Sequence, residues 1–195
     1  MAGTNWVTAY SDVQSALNVA EAGDTIFLAG HTFAGGKPGS PTHPNDSFLI
    51  WQNATNVTVK GGYNAVSGGG SSPGARTVVT ELKRTLGSSI RVLAMVNVTN
   101  SLVEQVTIRD GGSAAQGGMG VYLTNCWNVT FAGCTVTNSG PGNVDGGGMR
   151  FDRSSAVLTN TTIVGHQLTA VGVKSGAGIY VDPLSRVTLQ DRKST

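Results

Sequence analysis

Short runs in which apolar and polar residues alternate recur along most of the chain, as in Asn56-Val-Thr-Val-Lys60 and Asn128-Val-Thr-Phe131. Alternation with β-branched enrichment over about four to six residues is the pattern of half-buried strands. No stretch approaches the ~18 consecutive apolar residues of a membrane span. One segment has a different period. From Ser11 to Gly23, Val13, Ala16, Leu17 and Ala20 fall on one helical face, which predicts a short amphipathic helix with Ser11 as N-cap and Gly23 as stop.

The strand-like runs repeat at a long period. Leu93-Ala-Met-Val, Val121-Tyr-Leu-Thr, Met149-Arg-Phe-Asp and Ile179-Tyr-Val-Asp begin 28, 28 and 30 residues apart, and the last three each follow a glycine-rich run. A second strand family repeats in step: Val103-Glu-Gln-Val-Thr-Ile, Phe131-Ala-Gly-Cys-Thr-Val and Leu158-Thr-Asn-Thr-Thr-Ile, with Ile108, Val136 and Ile163 spaced by 28 and 27. Consecutive hairpins would place turn signals every 8–12 residues or so without a long superperiod. A coil of roughly 28 residues instead stacks each strand on its copy in the next turn, paired in parallel about 4.8 Å away. The predicted fold is therefore all-β: a right-handed parallel β-helix of about five coils spanning 25–195, with residues 1–24 forming a cap that contains the helix. The end after Asp191-Arg-Lys-Ser-Thr195 reads as a truncated solenoid or as an edge closed by self-association.

The run from Tyr10 to Phe33, with Gly23-Asp-Thr-Ile after the helix, resembles the opening of bacterial right-handed parallel β-helix repeat proteins. The run Val57–Gly69 with Arg76–Thr80, and the Gly-Gly-Gly-Met/Ile-x-Phe/Val strand starts, are similar to surface proteins with polymorphic-outer-membrane-protein-like repeats. The resemblance implies a pectin-lyase-like fold and an extracellular or cell-surface setting. It selects no activity, because that fold serves lyases, polygalacturonases, pectin esterases and adhesins alike.

Composition narrows the function classes. Thirteen Lys+Arg against eleven Asp+Glu give a net charge of +2, and charged residues make up only 12% of the chain. No dense basic cluster exists, which argues against a nucleic-acid partner. Glycine is abundant, at 28 residues, without a collagen period. Cys126 and Cys134 read as buried thiols, with one disulfide as the alternative.

Candidate chemistry follows from register. If Val121/Leu123, Met149/Phe151 and Ile179/Val181 point inward, Tyr122–Arg150–Tyr180 and Thr124–Asp152–Asp182 form two outward rows. Strand spacing brings the Asp152 and Asp182 carboxylates roughly 5 Å apart, a separation that suits a retaining glycosidase pair or a cation such as Ca²⁺. Asp152, Asp182 and Arg150 are accordingly the candidate catalytic residues, and Asp152 and Asp182 the candidate metal ligands, with no cofactor strictly required. Tyr122, Tyr180 and Lys174 are candidate contacts for a polysaccharide. The plainer alternative is a solvated solenoid face on which Arg150 only screens the acids.

Other features are weaker. His31, His43 and Asp46 lie in a Pro/Gly-rich loop and read first as solvated side chains, with a metal or base role as the alternative. His166 sits before the last long loop. Gly70-Ser-Ser72-Pro-Gly74 matches the nucleophile-elbow spacing but lacks its strand–turn–helix context. Sequons at Asn53, Asn56, Asn97, Asn128 and Asn160 suit coil corners as well as glycosylation. Thr135/Thr137 and Thr159/Thr161 hint at, without completing, a threonine array. The leading expectation is a secreted or surface carbohydrate-active domain that binds a polysaccharide, with or without hydrolysing it. The alternatives are a non-catalytic structural or adhesive segment and an ester hydrolase.

Overall fold

The structure is a computed structural model and describes residues 6, 8–36, 47–65, 73–86, 89–112, 117–141, 145–168 and 176–190. The helix α1 (Val13–Val19) leads into β1 (Thr25–Ala29) and β2 (Thr32–Gly35). Four three-stranded turns follow. They are β3 (Ser47–Gln52), β4 (Thr58–Tyr63) and β5 (Thr80–Arg84); β6 (Arg91–Val96), β7 (Leu102–Glu104) and β8 (Val106–Arg109); β9 (Val121–Thr124), β10 (Val129–Ala132) and β11 (Thr135–Thr137); and β12 (Met149–Asp152), β13 (Ser155–Thr159) and β14 (Thr162–Val164). The last described strands are β15 (Ile179–Val181) and β16 (Arg186–Gln190).

Every named strand pairs in parallel with its copy one turn away, giving three sheets: β1-β4-β7-β10-β13-β16, β2-β5-β8-β11-β14 and β3-β6-β9-β12-β15. This is the parallel β-helix expected from the period. The second strand family is two strands in each turn, however. The chain bends at Gln105, Gly133 and Asn160, all with φ between 47 and 60°, and each bend divides β7 from β8, β10 from β11 or β13 from β14.

Inward residues stack by type. Leu49–Leu93–Val121–Met149–Ile179 and Trp51–Met95–Leu123–Phe151 run up the third sheet, and Val59–Val103–Phe131–Leu158 runs up the first. Most are fully buried, including Trp51, Phe131 and Phe151 at 1% exposure or less. Burial of such side chains contributes roughly 1.5–3 kcal/mol each, and stacking like on like lets each turn repeat the same packing problem. At the base, Val13 and Leu17 of α1 join this core. The N-cap is Asp12 rather than Ser11, its carboxylate accepting from Ser15 N at 2.8 Å, and the helix gives way to extended backbone at Ala20, before Gly23.

Corners hold the turns in register. All five sequon asparagines have positive φ, between 47 and 56°. Asparagine tolerates this left-handed region better than other side-chain-bearing residues, so these positions are accounted for by backbone geometry. Their amides also form ladders: Asn97 Nδ2 donates to Asn53 Oδ1 at 3.0 Å and Asn128 Nδ2 donates to Asn100 Oδ1 at 2.9 Å. Cys126 and Cys134 are free thiols with no exposed surface. Among the described residues no helix is long and apolar enough to cross a membrane.

Candidate functional site

The outer face of the third sheet carries the residues singled out by register. Tyr122 pairs with Arg150 and Arg150 with Tyr180, while Thr124 pairs with Asp152. Asp182 follows directly on β15, its N–H donating to Phe151 O at 3.0 Å. The row Tyr122–Arg150–Tyr180 is thus paired strand to strand, whereas the second row is paired only at Thr124–Asp152 and Asp182 lies just past the end of β15; they do not work as two equal carboxylates between two free aromatic faces.

Asp152 is the centre of a small network. Arg150 Nε donates to Asp152 Oδ1 at 2.9 Å and to Oδ2 at 3.1 Å, and Tyr122 Oη donates to Oδ2 at 3.0 Å. Burial pushes the Tyr122 phenol up, with the Asp152 charge adding to the effect, so it remains a donor through neutral pH. Burial works against the charge on Arg150, and Asp152 more than offsets it.

Two roles differ from expectation. Tyr122 is only 7% exposed, and the Arg91 guanidinium lies 4.4 Å from its ring centroid. Its face is covered, so it holds Asp152 instead of stacking on a ligand. Asp182 is turned into its own corner. Its Oδ1 accepts from Leu184 N at 3.0 Å and Ser185 Oγ at 2.6 Å, and its Oδ2 from Arg153 N at 3.0 Å. Partial burial raises the Asp182 pKa, but the Ser185 hydroxyl and the two N–H groups outweigh it and hold the carboxyl below the usual range.

A Ca²⁺ ion does not fit this pair. Asp152 already takes a guanidinium and a phenol, Asp182 takes three donors, and no three His, Cys, Asp or Glu gather elsewhere among the described residues.

What the face leaves open is Tyr180 and the outer half of Arg150. Tyr180 is half-buried, with the Arg150 guanidinium 4.9 Å from its ring centroid. Among the described residues, the Arg150 Nη groups and the Tyr180 hydroxyl have no hydrogen-bond partner.

The remaining candidates lie apart. His31 packs edge-on against Phe33 at 5.2 Å. His166 uses both ring nitrogens on the backbone: Ser139 N donates to Nδ1 at 3.2 Å, leaving Nε2 protonated to donate to Val136 O at 3.1 Å. Burial lowers its pKa, only partly offset by the Val136 carbonyl. It ties two turns together and leaves no nitrogen to act as a base. Lys174, His43, Asp46 and Ser72 lie outside the described residues. Arg91 was absent from the sequence expectation, and its only sequence signal is a charge at the head of an otherwise apolar repeat.

No family model matches the chain, and no curated protein matches it. Among solved structures it is similar to a crystal structure of a "putative glycosyl hydrolase" from Parabacteroides merdae ATCC 43184, with a TM-score of 0.53 and 12% identity, covering 87% of this chain and 73% of that one. At that identity the likeness is one of fold.

Proposed function

We propose that this chain is an extracellular, pectin-lyase-like β-helix that binds a polysaccharide on the outer face of its third sheet. The observation that carries the reading is Arg150. Its Nε is fixed by Asp152, its guanidinium carbon lies over the Tyr180 ring, 4.9 Å from the centroid, and its Nη groups are left to meet a ligand. An aromatic face beside fixed charged donors and acceptors is chemistry suited to a sugar ring and its hydroxyls.

Binding is favoured over hydrolysis. A glycosidase needs one carboxyl kept protonated near neutral pH by a raised pKa, and Asp182 is shifted the other way. Hydrolysis is the second reading, favoured by the description of the structural neighbour as a "putative glycosyl hydrolase". In that case Asp152, fixed by Arg150 and Tyr122, is the carboxylate that faces the sugar. Ester hydrolysis has no comparable support, because both ring nitrogens of His166 are committed to backbone groups.

Affinity electrophoresis through gels containing xylan, β-glucan, mannan or polygalacturonate tests the proposal. The wild-type chain is retarded by at least one polymer, and Tyr180→Ala and Arg150→Ala weaken retardation by roughly tenfold, the equivalent of ~1.4 kcal/mol. Lack of retardation by every polymer contradicts it. Release of reducing ends that disappears in Asp152→Asn would establish the second reading.

A further inference from the structure

Trp127 stands out at the corner between the third and first sheets. It is 52% exposed, whereas Trp51 is buried at 1%. Its backbone is fixed from below: Trp127 N donates to Val98 O at 3.0 Å, and its carbonyl accepts from Asn100 N at 3.0 Å. Thr55, Thr99 and Trp127 form one row of parallel bridges up the corner.

The row stops at Trp127 because the next corner is one residue shorter. Thr124 pairs with Asp152 and Thr130 with Val157, so residues 125–129 face only 153–156. The serines of that shorter corner take the neighbours of Trp127 and pass over it. Ser154 Oγ accepts from Cys126 N at 3.0 Å and Ser155 Oγ from Asn128 N at 2.9 Å. The indole thus projects at a step, and among the described residues its ring and its Nε1–H have no partner.

Polar groups frame the indole. Asn125 precedes it with an exposed side-chain amide that has no hydrogen-bond partner among the described residues. Asn128 follows it, its Nδ2 spent on Asn100, which leaves its Oδ1 as an acceptor. Arg153 stands one turn above Asn125 and is exposed. An apolar ring ringed by amides that both donate and accept matches a pyranose, which offers one C–H face and a rim of hydroxyls.

We propose that Trp127, flanked by Asn125, Asn128 and Arg153, is a saccharide-binding site distinct from the Tyr180–Arg150 face. It shares the ligand class of the proposed function but rests on separate residues. Trp127 lies only five positions after Tyr122 and three after Thr124, whose row is that of Asp152. One oligosaccharide running along the turn could reach from Trp127 toward Arg150, which pairs with Tyr122 one turn away, since five residues span at most about 17 Å.

The test is titration of wild type, Trp127→Ala, Trp127→Phe and Tyr180→Ala with the hexasaccharides of xylose, mannose, cellobiose-type glucose, chitin and galacturonate. Tryptophan emission and calorimetry are read together, with far-UV circular dichroism confirming the fold. The proposal expects a blue shift in the wild type with at least one sugar. That shift is lost in both Trp127→Ala and Trp127→Phe, while the affinity falls roughly tenfold or more in Trp127→Ala and is partly retained in Trp127→Phe. Affinity unchanged in Trp127→Ala but lost in Tyr180→Ala overturns this site and leaves the sheet face standing. Affinity lost only in Trp127→Ala upholds this site and overturns the sheet face. No binding of any hexasaccharide overturns both.

Discussion

Tyr122 Oη donates to Asp152 Oδ2 at 3.0 Å, joining two turns of the β-helix through side chains that also meet Arg150. The phenol is buried and kept protonated, so this bond belongs to the fold as much as to the site. Tyr122→Phe is expected to cost about 1 kcal/mol, the worth of a bond to a charged group minus what water regains. Asp152→Ala is expected to cost about 1–3 kcal/mol, because it strands both partners. Urea denaturation of the two variants checks the order; a silent Asp152→Ala would show that the network carries no stability.

His166 makes stability depend on pH. Its pKa in the fold is lowered by burial, so the native state favours the neutral ring, and the unfolded chain takes up a proton first as pH falls. Stability is full above about pH 6.5, the unfolded value, and declines as pH falls from there toward the native pKa. His166→Gln is expected to lower stability at pH 7.5 and to flatten this slope. Melting temperatures measured between pH 7.5 and 5 give both, and an unchanged slope would place the titration elsewhere.

Corner chemistry predicts a gain as well as a loss. Arg153 has φ 48° at the position that Asn53, Asn97 and Asn125 hold in earlier turns. Arg153→Asn is expected to stabilise by roughly 0.5–1 kcal/mol, and Asn97→Ala to destabilise by about 1–2 kcal/mol, through the left-handed penalty and the lost ladder bond. Thermal melts of the pair should move in opposite directions.

The thiols offer a probe of global opening. Burial pushes both Cys126 and Cys134 up to about 11, with nearby hydrogen bonds opposing it only in part. Neither should react with Ellman's reagent at pH 8 in the native state, and both should react in urea. Prompt reaction of either native thiol would contradict the buried-ladder packing.

The period, the inward rows and the pairing of Tyr122, Arg150 and Tyr180 were legible in the sequence because like residues must stack on like in a solenoid. The bends at Gln105, Gly133 and Asn160 were not, since Gln, Gly and Asn share no side-chain signature beyond tolerance of positive φ. Alternation sets which face a side chain takes but not what then covers it. Tyr122 points outward as its register requires and is nonetheless buried beneath Arg91, and Asp182 is drawn into a turn by Leu184 and Ser185. The step at Trp127 depends on a single-residue difference between adjacent corners, which shows only once both flanking registers are known.

The most direct test of glycan binding on the third sheet is NMR of the ¹⁵N-labelled chain with the oligosaccharide retained best in affinity gels. The Arg150 Nε–H and the Tyr180 backbone amide should shift on titration, saturating together. Saturable binding that leaves both resonances unmoved would contradict the assignment of this face as the site.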